Sequence, residues 1–273
     1  MGNERSASPV MDTAVASIAR VYDAMLGGKD NWAVDRAVLD ALTAVEPSMQ
    51  VLARDNREWL IRVCRFLAGE SGVEQYLDCG SGLPTSENTH QVVQRLNPEA
   101  RVVYVDNDPS AVAHGRVLLA ENDRTFFADA DFTEPDRLLA ERAAQRLDFT
   151  EPIALFQVNT LHHVSDQQDP RAVVQRVVDA LPPGSYLAIS HFHDPADGSE
   201  LSAKARELER VMLSGPMGSG RFRTRAEIEA LFCGLELVSP GLVLPRDWWP
   251  DGPRQHQPLD AQQLILAGLA RKP

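Results

Sequence analysis

Apolar side chains recur at helical spacing through the first quarter of the chain. Val34, Val38, Leu39, Leu42 and Val45 share one stripe, which Pro47 ends. Trp59, Leu60, Val63, Phe66 and Leu67 make a second stripe, stopped near Gly69 to Gly72. Between Tyr22 and Arg36 the character differs, and the pair Gly27-Gly28 breaks any helix there while letting the backbone approach a neighbour closely. From Glu74 the period shortens. Glu74–Asp78, Arg101–Asp106, Thr125–Ala128, Ile153–Thr160 and Tyr186–Ser190 read as five strands, near-continuously apolar as strands of parallel sheets are. Helices are predicted between them: one running to Leu96, one opened by Asp108-Pro109, and one opened by Asp169-Pro170, where an acidic N-cap precedes proline at the first helical position.

After His191 the alternation loosens. Leu201–Leu213 reads as a helix, Ser214–Arg221 as a glycine-rich loop and candidate lid, and Thr224-x-x-Glu227 as a capping box. Leu235–Val238 and Leu264–Leu269 read as closing strands around a polar loop with Trp248 and Trp249, two rings that either plug the core or line a substrate wall. Strands alternating with helices predict an α/β fold with a doubly wound parallel sheet. The change of period near residue 73 divides the chain into an N-terminal helical extension, 1–72, and a Rossmann-like core, 73–273.

Composition narrows the class. With 273 residues, 44% of them hydrophobic, the chain can bury a sizeable core. Its 27 basic and 39 acidic residues leave a net charge of −12, the wrong sign for a protein that coats nucleic acid. No apolar run approaches the roughly 18 residues of a membrane span. Three scattered cysteines (Cys64, Cys79, Cys233) imply no disulfide framework, so the expectation is a soluble, cytoplasmic protein with a small-molecule substrate, no nucleic-acid or membrane partner, and an oligomeric state that the sequence leaves open. Gly2 and Ser6 fit a myristoylation pattern, against the plainer reading of a frayed polar tail.

The chemistry concentrates at strand ends. Asp78-Cys79-Gly80-Ser81-Gly82 follows the first strand, where two glycines let the main chain turn sharply against a ligand and the next helix offers its N-terminus. Asp78 would repel a pyrophosphate but suits a ligand bearing a cationic amino acid, and Thr85 stands where a dinucleotide fingerprint has its third glycine; both favour S-adenosylmethionine over NAD. Asp106 ends the second strand, where a carboxylate can accept both hydroxyls of a ribose. Asp131-Phe132 follows the third strand, and Asn159-Thr160-Leu161-His162-His163 ends the fourth. With His191, His193 and Asp194 after the fifth, four imidazoles and a carboxylate approach one sheet edge. They suit a general base, a metal site or a hydrogen-bonded wall, and strand alternation turns His162 and His163 to opposite faces.

In this order the motifs resemble class I S-adenosylmethionine-dependent methyltransferases. More narrowly the chain is similar to the actinobacterial S-adenosyl methyltransferase family, formerly a domain of unknown function. That likeness rests on Ala19–Asp23 with Leu26-Gly27-Gly28-Lys29-Asp30-Asn31, on Asp78–Thr85, on Tyr104–Pro109, on Leu161–Val164 and on Leu181–Tyr186. The resemblance implies a seven-stranded Rossmann-like sheet with its last strand antiparallel. It also implies S-adenosyl-L-methionine as cofactor, with methionine-carboxyl contacts at Gly80 and Gly82, ribose at Asp106, adenine between Asn107 and Phe132, and Asp131 facing the adenine amino group. Asp78 and Asn159 join this cofactor set. Tyr22 and the block Gly27, Gly28, Lys29 form a lid in which Tyr22 and Lys29 meet the cofactor carboxylate, with a simple helix C-cap at Gly27-Gly28 compatible with it; Asn56 and Arg57 are further candidates for that carboxylate. His163 or His191 is the expected base, and no metal is assigned. A cofactor-binding regulatory protein without catalysis and a nicotinamide-dependent oxidoreductase are the rival readings.

Overall fold

A computed structural model describes residues 12–85, 87–118, 122–141, 144–253 and 256–273; the Gly2/Ser6 pattern lies outside them. Three helices come first: α1 (Ile18–Leu26), α2 (Ala33–Val45) and α3 (Met49–Gly69). The sheet follows as β1 (Gln75–Cys79), β2 (Arg101–Asp106), β3 (Thr125–Asp129), β4 (Ile153–Val158), β5 (Tyr186–Phe192), β6 (Glu236–Leu237) and β7 (Ile265–Arg271). Interleaved are α4 (Thr89–Leu96), α5 (Pro109–Leu118), α6 (Pro135–Ala140), α7 (Pro170–Ala180), α8 (Glu200–Ser214), α9 (Arg225–Ala230) and α10 (Asp260–Gln263).

Strand order is β3-β2-β1-β4-β5-β7-β6, with β7 antiparallel to both neighbours. The expected α/β class, seven strands and antiparallel final strand are all present. Side-chain alternation along β1 sorts the two faces. Leu77 and Cys79 join Val103, Val105, Leu155 and the α7 valines on one side. Tyr76 joins Tyr104, Phe156, Trp59, Val63 and Leu67 on the other, so α3 is a wall of the sheet's own core. A third cluster packs α1, α2 and α8 against Phe192 and Ile265.

Local signals account for most boundaries. Ser17 caps α1, and Gly27 closes it in the left-handed region at φ 79°. Asp169 caps α7 ahead of Pro170, and Thr224 with Glu227 forms the capping box of α9. Two departures bear on the site. α4 starts at Thr89 behind an Asn88 capping box, well past the glycine bend, so the bend does not run straight into a helix N-terminus. β4 stops at Val158; Asn159 turns to φ 60° and a 3₁₀ turn, Leu161–His163, follows. The two histidines are therefore not strand residues, and strand alternation does not govern them.

Candidate active site

Chain order reverses between β1 and β4, the switch point at which open α/β sheets bind ligands. A cavity of about 380 Å³ opens there above the carboxyl ends of β1, β2 and β4. Its floor is built by the bend after β1. Gly80 (φ 68°) and Ser81 both donate their N–H to the Val105 carbonyl, at 2.7 and 3.1 Å. A Cβ on Gly80 would come within 2.4 Å of the Thr160 Cγ2, so only glycine fits. Gly82 (φ 66°) faces open space, and its N–H donates to Asp106 Oδ2 at 2.7 Å. The other Asp106 oxygen accepts the Asp108 N–H at 2.9 Å. Burial pushes the Asp106 carboxyl up to about 6 against the pull of these N–H groups. Burial also raises Asp78, which accepts the Thr89 hydroxyl at 2.7 Å and is opposed by that bond and by the Arg57 charge.

The roof comes from α1 and α3 through Ile18, Ala19, Tyr22, Asn56, Arg57 and Leu60. Tyr22 donates to the Ala53 carbonyl at 3.3 Å and accepts from Asn56 Nδ2 at 2.9 Å. Desolvation raises the Tyr22 phenol. At the mouth, the Ser17 hydroxyl bonds Asp108 Oδ2 while Asp108 Oδ1 caps α5 through the N–H of Ser110 (2.7 Å) and Ala111 (3.2 Å). Two cavity-wall oxygens, Asn56 Oδ1 and Asn159 Oδ1, are buried and have no hydrogen-bond partner among the described residues.

Of the residues expected at the cofactor, Tyr22, Asp78, Gly80, Gly82, Asp106, Asn107, Phe132 and Asn159 line this cavity, and so does His163. Gly27, Gly28, Lys29, Asp131 and His191 do not. The Gly-Gly-Lys block is an exposed corner organised from beneath by Asp23, which accepts the N–H of Asp30 (3.0 Å) and Asn31 Nδ2 (2.8 Å). A Cβ on Gly28 would fall on that carboxylate, so this glycine clears room for Asp23. Asp131 spends an oxygen on Thr133 within its own turn. Ser81, Asp108 and Thr160 were not singled out as ligand contacts, and all three line the wall.

The histidines separate. His162 is fully buried, stacked on Phe192 at 3.9 Å with His191 edge-on at 5.5 Å. His191 sits behind it, and its Nε2 faces Arg223 Nη1 at 2.9 Å. An arginine can only donate, so that nitrogen is the acceptor and His191 Nδ1–H donates to the Phe192 carbonyl at 2.7 Å. Burial lowers His191 to about 3. His163 reaches the cavity, with burial lowering it to about 4, and its Nδ1 lies 2.9 Å from Ser219 Oγ. His193 and Asp194 point elsewhere, to the Gln263 carbonyl and the Ser202 hydroxyl. The glycine-rich loop expected as a lid is pinned: Arg221 N–H donates to the His162 carbonyl (2.7 Å) and Phe222 N–H to Glu209 (2.6 Å). The glycines of this loop marked the segment but not Ser219 itself, which the pinning delivers to His163. Trp248 is a core plug whose carbonyl accepts from Arg62 at 3.0 Å; Trp249 is half exposed, and neither lines the cavity. Among the described residues, no helix is long and apolar enough to cross a membrane, and no three His, Cys, Asp or Glu side chains gather as metal ligands.

A family described as S-adenosyl methyltransferase matches residues 4–273. A crystal structure from Thermobifida fusca YX, provisionally classed as a methyltransferase, is 43% identical; the match covers 98% of this chain and 99% of that one, with a TM-score of 0.90. A DUF574 family protein from Streptomyces avermitilis MA-4680 is 39% identical over 96% and 99% of the two chains, with a TM-score of 0.88. Among curated proteins, the ribosomal RNA small subunit methyltransferase H of Halorhodospira halophila is 41% identical over 51 residues, so the chain matches only 16% of that relative's length and 19% of its own.

Proposed function

The chain belongs to the S-adenosyl methyltransferase family, and from that premise we propose that the cavity seats S-adenosylmethionine and delivers its methyl group to a small-molecule nucleophile. One observation carries this reading: the Asp106 carboxylate turns inward onto the Gly80–Gly82 bend, with open space in front of Gly82. The bound cofactor supplies an electrophilic methyl on a cationic sulfur. Of the residues lining the cavity, Asp106 would accept the ribose hydroxyls, Asn107 and Phe132 would flank the adenine, and Gly80, Ser81 and Gly82 would hold the methionine arm with Asp78 and Asn159. Asp131, Gly27, Gly28 and Lys29 have no part in this arrangement.

Positioning would supply most of the rate enhancement for methyl transfer, since a cavity wall that fixed both reactants would spare the entropy of bringing them together. His163 receives the acceptor's proton. Its depressed basicity keeps the imidazole neutral at pH 7. Ser219 Oγ lies 2.9 Å from His163 Nδ1, and with Nδ1–H donating to it the lone pair sits on Nε2. Such a base takes the proton only as transfer makes it acidic. His191 is too deep and already committed to Arg223.

Calorimetry with S-adenosylhomocysteine tests the cofactor site. Wild type binds, and Asp106→Ala binds at least about tenfold more weakly, the cost of a charge-assisted pair. Absent wild-type binding, or equal binding by the variant, overturns the reading. Methyl-labelled S-adenosylmethionine with a low-mass cell extract tests transfer. His163→Gln is expected to slow labelling by about 10²-fold with cofactor affinity unchanged.

A further inference from the structure

We propose that Asn56 holds the ammonium group of the cofactor's methionine arm, presenting Oδ1 as an acceptor beside Asp78 and Asn159. The inference rests on the cofactor reading above and reverses the sequence expectation that Asn56 meets the carboxylate.

Hydrogen-bond accounting leads there. Asn56 is 1% exposed, on the inner side of α3, and belongs to the cavity wall. The Tyr22 hydroxyl has one proton, given to the Ala53 carbonyl, so it meets Asn56 as an acceptor and takes the Nδ2–H. That leaves Asn56 Oδ1 buried and unpaired among the described residues, and an unpaired buried acceptor is costly unless a ligand supplies the donor. The cavity wall it shares carries the charges that an α-amino acid needs. Arg57, the next residue along α3, is the cation, and Asp78 is the carboxylate on which its charge acts. A zwitterion placed here puts its carboxylate at Arg57 and its ammonium among acceptors only. Asn159 Oδ1, likewise unpaired at the end of β4, supplies another. An ammonium has three protons to give, and Asp78, Asn56 and Asn159 offer three acceptors.

The test compares two ligands on the full chain by calorimetry. S-adenosylhomocysteine carries both charged groups; its deamino counterpart, adenosine with a 4-thiobutyrate arm, keeps the carboxylate and lacks the ammonium. Wild type is expected to bind the deamino ligand about tenfold or more weakly. Asn56→Ala is expected to lose about tenfold for S-adenosylhomocysteine and less than about twofold for the deamino ligand. Asn56→Asp, which offers only acceptors, keeps S-adenosylhomocysteine within about threefold. If instead the amide nitrogen faced the carboxylate, Asn56→Asp would repel the ligand and bind as weakly as Asn56→Ala, or worse. That result, or equal losses for both ligands in Asn56→Ala, overturns the proposal. Should Asn56→Ala not fold, the wild-type pair and Asn56→Asp still decide: equal wild-type affinities, or about a tenfold loss of S-adenosylhomocysteine affinity in Asn56→Asp, overturn it. Wild type binding neither ligand would instead remove the cofactor site itself.

Discussion

The floor and the roof of the cavity are finished to different degrees. On the floor, protein groups answer one another: Gly82 N–H and Asp108 N–H are taken by Asp106, and Asp78 holds the Thr89 hydroxyl. The roof leaves a buried amide oxygen on Asn56 unpaired among the described residues, and the rim just past β4 leaves another on Asn159. A floor of that kind is preorganised and carries shape; a roof of that kind is completed by its ligand and carries recognition of the polar arm.

The largest effect expected from this contrast is on the floor. Gly80→Ala forces a side chain into the left-handed region and onto Thr160, and is expected to cost about 3 kcal/mol or more of stability in denaturant unfolding. A loss near zero would mean that the bend is soft. On the roof, Arg57→Met is expected to weaken S-adenosylhomocysteine binding about 10- to 100-fold, while Lys29→Met stays within about twofold. The reverse order would restore Lys29 as the carboxylate contact.

Acid tests the floor again. Asp106 titrates at about 6, and its ionised form accepts the ribose hydroxyls, so affinity is flat above pH 6 and falls by about tenfold per unit below it. The sign for the free protein is opposite. A carboxyl raised above its ordinary value binds more protons folded than unfolded, so this group's contribution to stability declines as pH rises towards 6. Asp106→Asn should abolish the step in affinity. The smallest effect on binding is expected from Gly28→Ala. It displaces Asp23 from the loop and costs about 1 kcal/mol in thermal unfolding, with cofactor affinity within about twofold.

The fold was readable because parallel strands announce themselves as short apolar runs between capped helices, and Gly80, Gly82 and Asp106 because they stand at the carboxyl ends of two such strands, which pairing brings side by side. Lys29 lies outside the cavity for a physical reason: the conspicuous block around it is organised by Asp23. His162 and His163 do part as the sequence suggests, but by another device: Asn159 at φ 60° turns strand into 3₁₀ and sends His162 to the core and His163 to the cavity. Asn56 could be named but not assigned, since the direction of its amide is fixed by Tyr22, 34 residues away. Ser219 falls within the loop marked by its glycines, but its pairing with His163 is set by contacts with His162 and His163 across the chain.

The position of β7 has a consequence for biosynthesis. It follows β6 in the chain yet lies between β5 and β6, so neither neighbour has its partner on that side until β7 emerges. Strands β1 to β4, which carry the floor, can pair beforehand. The outer margin of β5, seven residues of open backbone from Tyr186 to Phe192, meanwhile offers a template to any passing chain. A nascent or truncated form halted before residue 265 would therefore be expected to clump rather than merely lose activity, and to depend on holdase protection until that slot is filled.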